Sequence, residues 1–338
     1  MTIEERLSLL EQQIAAQVPT PTEYYTSRWS GEEIDNRIAS LSNQNLLDNA
    51  YFKGGGSQQG GGQFPINQRG QTSYGAGYGM DRWFSHSCTV SIQSDGILIS
   101  GGANYGNLSQ IIDNPSRFAG MTVTLSALIL GGSGISNGAY LNLQINGTDH
   151  VTNMSQGLVS VTVTCPSQIT NMQAAFVTSP FSGYSLQVIA AKLELGSHQT
   201  LAYQDEDGNW QLFETPDYGE ELVKCRYYFR RYGVSSLGQI YLPPALGVSG
   251  TEANFSIVSE PMRIAPTISG NGFLLAGTTG DGFIADGSAS FSLLGASPLS
   301  GIITVKVTCS NRTLIPGNYY TLYANPEYGA FLDLSAEL

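Results

Sequence analysis

The stretch MTVTLSALIL, residues 121–130, is a nearly continuous run of apolar and β-branched residues. A run of this length, cut off by glycine on both sides, predicts a buried β-strand. Six other apolar or alternating segments flank it, at 89–92, 97–100, 139–145, 158–165, 174–177 and 186–195. Strands at this spacing predict a mainly β protein with a jelly-roll β-sandwich over residues 44–200.

The second half of the chain also consists of short apolar or alternating segments separated by turn residues. A short helix is predicted at 216–229, and strands are predicted at 240–242, 253–259, 273–275, 289–294, 302–308 and 319–323. These strands indicate a second, C-terminal β-sandwich over residues 201–338. The length of 338 residues is also typical of two domains plus connections.

The composition fits β-strands joined by tight turns, with polar but mostly uncharged surfaces. Charged residues make up 12%, against about 25% in an average soluble protein. The net charge is −12, and the 15 Lys and Arg form no basic stripe, which argues against nucleic acid and anionic membranes as partners. A neutral partner such as a glycan remains compatible.

Residues 1–43 are predicted to be a helical attachment and trimerisation segment. Ile3, Leu7, Leu10 and Ile14 follow a heptad spacing in a helix over 3–18, and a second short helix is predicted over 31–41. Two heptads are marginal alone but can set register and oligomer number when larger domains also associate. The alternative is one amphipathic helix docked on its own domain.

The termini and the cysteines bear on the compartment. The first residues lack the basic and apolar regions of a secretory signal, and no run is long enough to span a membrane. Cys88, Cys165, Cys225 and Cys309 have no zinc-binding spacing. Reduced, mostly buried thiols are therefore expected, with one disulfide per domain as the alternative.

Five ordered motifs lie between residues 45 and 338. They are NLLDNAYF (45–52) with INQRG (66–70) and MDRW (80–83), KLELGS (192–197), ELVKCRYY (221–228), PMRIAPT (261–267) and LSAEL (334–338). Together they resemble phage and prophage tail-fibre and receptor-binding proteins that carry a jelly-roll domain similar to carbohydrate-binding modules, and the resemblance covers about residues 45–338. The segment WSGEEID (29–35) is similar to a recurring element of the same fibre proteins.

The resemblance implies a non-enzymatic virion component, made in the host cytoplasm and exposed on the extracellular particle. It implies a homotrimeric fibre that adheres to host cell-surface glycans, with other virion proteins contacting its N-terminal segment. The Gly-rich stretch 54–62 departs from the usual spacing of the motifs, so no glycan site is carried over from that loop.

Glycan recognition needs exposed rings that stack on sugar C–H faces, plus a few directional polar groups. In the first domain the candidates near Gly or Asn turns are Tyr74, Tyr78, Tyr105, Tyr140, Asn104 and Asn107. In the second they are Tyr319, Tyr320, Tyr323 and Tyr328. The alternative role is rim or intersubunit packing for the rings of the first domain and trimer-core packing for those of the second, and Trp83 is expected to be a core anchor.

Catalytic and metal motifs are missing from the sequence. The three histidines are scattered, and no nucleophile elbow or calcium loop is present, so no cofactor or metal is expected. A calcium ion held by Glu194 stays conceivable. The cluster around Arg226, Arg230 and Arg231 is expected to form interdomain ion pairs. Two alternatives to receptor binding remain, a purely structural decoration protein and a polysaccharide depolymerase.

Overall fold

The computed structural model describes residues 6, 8, 43–56, 64–101, 104–135, 138–178, 180, 183–233, 240–277, 283–284, 289–297, 300–309, 313–324 and 329–337. Two compact units are present, Met1–Ser42 and Asn43–Leu338. In the first unit, Arg6 and Ser8 are helical and exposed. The predicted seam residues Ile3, Leu7, Leu10 and Ile14 lie outside the described residues. No helix in the described part is long and apolar enough to cross a membrane.

The second unit begins with a sandwich of two six-stranded antiparallel sheets. In spatial order, sheet I consists of β1 (Ser73–Tyr74), β4 (Thr89–Gln93), β5 (Gly96–Ser100), β12 (Ser185–Leu195), β7 (Thr122–Gly131) and β10 (Gly157–Thr164). Sheet II consists of β2 (Gly77–Tyr78), β3 (Phe84–His86), β6 (Asn107–Ile111), β11 (Met172–Val177), β8 (Tyr140–Ile145) and β9 (Thr148–Asn153). From β6 to β8, and again from β9 to β12, the chain alternates between the sheets, as in a jelly roll.

All seven strands predicted for the first domain are present, and their side chains explain its core. Leu125 of β7, Leu143 of β8 and Phe176 of β11 belong to one buried cluster between the two sheets. Trp83 is 1% exposed in the same cluster, and its indole N–H donates to the carbonyl of Asn49 at 2.9 Å. The prediction that Trp83 is a core anchor is confirmed.

Strand β7 is buried on both faces, which accounts for its continuous apolar run. A hairpin of β13 (Ala202–Gln204) and β14 (Trp210–Leu212) packs over the outer face of sheet I. Leu201 and Ala202 share a buried cluster there with Leu128 and Ala190. The chain therefore covers one outer face of its own first sandwich.

Helix α1 (Tyr218–Arg226) follows the hairpin and is shorter than the predicted 216–229. The carboxylate of Asp217 caps its N-terminus by accepting from the backbone N–H of Glu220 at 3.0 Å. Cys225 is fully buried against Phe64 and Ile66. All four cysteines are buried free thiols, in line with the expectation of reduced, mostly buried thiols.

The second sandwich has sheets of seven and three strands. Sheet III has the order β20 (Phe283–Ile284), β19 (Phe273–Gly277), β23 (Tyr319–Ala324), β16 (Ile240–Gly247), β17 (Glu252–Val258), β22 (Ile302–Thr308) and β21 (Ser290–Ser297). Sheet IV has the order β15 (Phe229–Gly233), β24 (Phe331–Ser335) and β18 (Thr267–Asn271). The six predicted strands all belong to sheet III, and the three strands of sheet IV were not predicted.

A buried ionic junction joins the two sandwiches. Arg231 of β15 makes two 2.7 Å bonds to the carboxylate of Asp333 and also donates to the carbonyl of Arg69 at 2.6 Å. Arg82 bonds to Asp48 at 3.0 Å and lies 3.5 Å from the ring centre of Tyr228. Arg231 contacts the first sandwich as expected, but the carboxylates paired with Arg231 and Arg230, Asp333 and Glu260, both belong to the second domain. An ion pair between the domains is made instead by Arg263, whose guanidinium lies 3.1 Å from Asp113.

Candidate functional site

The outer face of sheet II is accessible to ligands, whereas the hairpin covers part of the outer face of sheet I near β7 and β12. Leu141 and Leu143 of β8 point into the core, so alternation directs Tyr140, Asn142 and Gln144 outward. Exposed apolar side chains remain on this face, where Val151 is 50% exposed. Phe84 and Ile111 are exposed there as well. The hairpin that covers sheet I has no counterpart among the described elements on this side.

The strand register places small side chains in the middle of this face and larger ones at its ends. One row runs across the strands from Phe84 to Ser109, Ala175, Asn142 and Val151, each directly opposite the next. Ser109, Ala175 and Asn142 are buried between their neighbours although they point outward. The row therefore forms a shallow depression, which we call the trough. Its floor is Ser109, Ala175 and Asn142, and Phe84 and Val151 rise at its two ends.

Aromatic rings stand at both ends of the trough. Tyr78 lies opposite Phe84, and the two rings meet edge to face with centroids 5.1 Å apart. At the other end, burial raises the pKa of Tyr140, with smaller contributions from the nearby Asp149 and Tyr105. Tyr105 is 55% exposed, and its hydroxyl approaches Gly138 in the loop before β8.

A polar cluster lies beside Tyr140 on β8 and β9. The amide nitrogens of Asn142 and Gln144 each donate to Oδ1 of Asp149 at 2.8 Å. These two hydrogen bonds, that from Asn142 first, lower the pKa of Asp149. The side-chain oxygen of Asn142 is buried and has no hydrogen-bond partner within the described structure. This cluster was not predicted from the sequence.

The structure brings together some of the predicted glycan-binding residues. Tyr78 and Tyr140 lie on the outer face of sheet II, and Asn107 occupies the same face on β6, opposite Val177. Asn104 and Tyr105 are exposed in the loop that precedes β6. Four of the five therefore lie at the Tyr140 end of the face or on β6, and Tyr78 lies at the other end.

Two predicted contacts are corrected by their burial. Tyr74 is 8% exposed and packs in the core of the first sandwich, where Gly79 lies directly against its ring. Tyr320 is 6% exposed in the second core, and its hydroxyl accepts from the N–H of Ile315 at 2.7 Å. Neither ring can stack on a ligand in this structure.

Tyr319 lies on strand β23 of sheet III, whereas the trough belongs to sheet II. Tyr319 is 58% exposed, while its neighbour Tyr320 points inward, as the predicted alternation requires. The side chain of Tyr323 and the whole of Tyr328 lie outside the described residues.

The first sandwich also contains a small cavity, which is separate from the trough. A cavity of about 80 Å³ lies between Tyr51, β12 and the segment from Thr200 to Pro216. Pockets for small-molecule ligands usually measure about 300–1,000 Å³, so this cavity is too small for a sugar ring. The trough is the larger accessible surface that combines rings with directional polar groups.

Glu194 is occupied by protein partners. It accepts from the N–H of Thr200 at 2.6 Å and lies 3.6 Å from the ammonium of the buried Lys192. Lys192 therefore supplies the positive charge beside this carboxylate. No group of potential metal ligands is present among the residues that the structure describes.

Comparison with known proteins gives weak structural likenesses. No protein-family model matches the chain, and no curated protein sequence matches it. A family 29 carbohydrate-binding module is similar at 12% identity and a TM-score of 0.26, over 44% of this chain and 88% of that one. The N-terminal tandem of two family 22 modules from Paenibacillus barcinonensis Xyn10C is similar at 10% identity and a TM-score of 0.26, over 88% and 98%. At these TM-scores no binding residue of either module is carried over to this chain.

Proposed function

We propose that this chain is a phage virion fibre or receptor-binding protein that adheres to host cell-surface glycans. The observation that carries the proposal is the trough, an open sheet face with aromatic rings at both ends and an amide–carboxylate cluster beside one of them. The rings can stack on the C–H faces of sugars, and the polar cluster can fix their orientation. The chain acts in this proposal as a binding protein and not as an enzyme.

A surface site of this kind makes each contact weak, because it buries only one side of the ligand. A homotrimer held through residues 1–43 would present three troughs on one body. Several sites engaged together raise the apparent affinity by about 10²–10⁴ through effective concentration. The proposal therefore includes a homotrimer that is attached to the virion through contacts with other virion proteins.

The test is binding of the full-length chain to host cell-wall polysaccharide and to a glycan array, with molecular mass measured by light scattering. The variant Tyr140→Ala, combined with Tyr105→Ala, removes two rings at one end of the trough. Tyr203→Ala is the matched control, because Tyr203 is 43% exposed on the β13–β14 hairpin, away from the trough. We expect the double variant to lose glycan binding and the control to keep it.

Three other outcomes would favour a different function or a different binding site. A trimer that binds no glycan would favour a decoration protein, and released oligosaccharides would favour a depolymerase. Binding that survives in the double variant but is lost in the control would move the site to the hairpin.

A further inference from the structure

The polar cluster of the trough centres on the carboxylate of Asp149, to which each of the two amides gives one N–H. An ionised carboxylate only accepts hydrogen bonds, so the amides of Asn142 and Gln144 must turn their nitrogens toward Asp149. Both bonds go to Oδ1, which leaves Oδ2 of Asp149 to accept from a ligand. The buried oxygen of Asn142 is a further acceptor, unpartnered within the described structure.

The face around this cluster carries no balancing positive charge. The described outward-facing residues of sheet II comprise aromatic, aliphatic, amide and hydroxyl side chains, His86 and the single carboxylate of Asp149. His150 follows Asp149 on β9 but lies opposite Leu143, on the other side of the strand. Arg82 is buried and bonded to Asp48, so it does not reach the trough.

We infer that the Asn142–Gln144–Asp149 cluster selects glycans that donate hydrogen bonds and carry no negative charge. A sugar hydroxyl can donate to Oδ2 of the exposed Asp149. A uronate carboxylate, phosphate or sulfate group brings acceptors and a like charge to the same place. The cation at the trough is Arg69, 5.5 Å from the ring centre of Tyr78 at the other end, and it is already paired with Asp81 and Glu337. This inference rests on the proposed glycan binding and adds the ligand class.

The experiment compares one glycan in two charge states. The full-length chain is first screened against an array of neutral and anionic oligosaccharides. A neutral oligosaccharide that binds is then oxidised at its primary hydroxyls, which gives a carboxylated form of the same backbone. Affinities for both forms are measured for the wild type, for Asp149→Asn and for Asp95→Asn. Asp95 is an exposed carboxylate in the β4–β5 turn of sheet I, so its variant loses the same charge away from the trough.

We expect the wild type and Asp95→Asn to bind the neutral form and to bind its carboxylated form at least tenfold more weakly. Asp149→Asn should bind the neutral form about tenfold more weakly than wild type, because it loses a charge-assisted hydrogen bond. It should also discriminate less between the two forms. Circular dichroism and thermal unfolding would establish that both variants are folded.

Three results would overturn the inference in different ways. Equal affinity for the neutral and carboxylated forms would refute the selectivity and leave the proposed glycan binding intact. Identical behaviour of Asp149→Asn and Asp95→Asn would refute the role of the cluster. If no glycan on the array binds, the proposed function fails, and the inference fails with it.

Discussion

The guanidinium of Arg69 in the first sandwich pairs with the carboxylate of Glu337, which follows strand β24 of the second sandwich. The two side chains are 10% and 3% exposed. The same guanidinium lies 3.3 Å from Asp81 and 3.5 Å from the ring centre of Phe229. One arginine thus joins residues from both sandwiches in a buried contact.

Removing one partner of this pair should strongly destabilise the protein. Replacing Glu337 with Gln leaves Arg69 with a buried charge that is only partly compensated, and breaking a buried pair costs about 3–5 kcal/mol. Urea unfolding followed by tryptophan fluorescence would measure the loss. The control is Lys306→Gln, which breaks the more exposed pair with Glu252 at 3.0 Å and should cost less than about 1 kcal/mol. Equal losses in both variants would contradict this view of the junction.

The junction should make stability depend on pH. Burial raises the pKa of Asp81 to about 7 and also raises the pKa of Glu337, with Arg69 opposing both shifts. The folded state therefore keeps protons that the unfolded state has released between about pH 4 and 7. The free energy of unfolding should fall as pH rises through this window, by about 1 kcal/mol per pH unit for one such proton.

Unfolding titrations between pH 5 and 8 would test this dependence. Asp81→Asn should flatten it, and Asp95→Asn should leave it unchanged because Asp95 is exposed. A wild-type stability that rises steadily from pH 5 to 8 would show that another group dominates.

Asn49 should be among the least replaceable residues of the first sandwich. Its backbone has a left-handed φ of 51°, and its buried amide donates to Ile66 and Asp81 and accepts from the N–H of Ile66. Asn49→Ala leaves these buried backbone groups unpaired, at about 1–3 kcal/mol each, and strains the backbone. Asn146 has the same φ and also bonds to backbone groups, but at an exposed site. Asn146→Ala should therefore lower the melting temperature much less, and similar losses would be unexpected.

Deleting residues 1–42 should leave the β-sandwiches folded, because residues 1–42 and residues 43–338 form two separate compact units. We expect the shortened chain to keep its β circular-dichroism spectrum, to lose trimeric mass in light scattering, and to fail to attach to virions. Loss of all β-structure would argue against independent units, and a shortened chain that stays trimeric would place the oligomer contacts in the sandwiches.

The sequence pattern predicted the buried strands well because both of their faces, or one complete face, are apolar. Strand β9 was missed because Thr148–Asn153 is an edge strand with polar side chains such as Asp149 and His150. Without β9, no pattern could show that Asp149 lies opposite Gln144. The polar cluster of the trough therefore could not be predicted from the sequence.

The sequence also did not show whether a predicted aromatic side chain faces solvent or the core. Tyr74 and Tyr320 are near turns, where aromatic residues often face solvent, yet tertiary packing buries both. Several of the recognised motifs also had a role that the sequence did not reveal. Asp81 and Arg82 belong to one of those stretches and Glu337 to another, and all three residues contribute to the ionic junction between the sandwiches.

The floor of the trough has a consequence for how the protein can evolve. Ser109 and Ala175 point away from the core, so a larger side chain at either position would reshape the ligand surface and leave the packing between the sheets unchanged. The junction, in contrast, joins several charges that depend on one another. Under the proposed function, the ligand preference can therefore change through the trough floor without disturbing the architecture, whereas a change at a junction residue disturbs several charges at once.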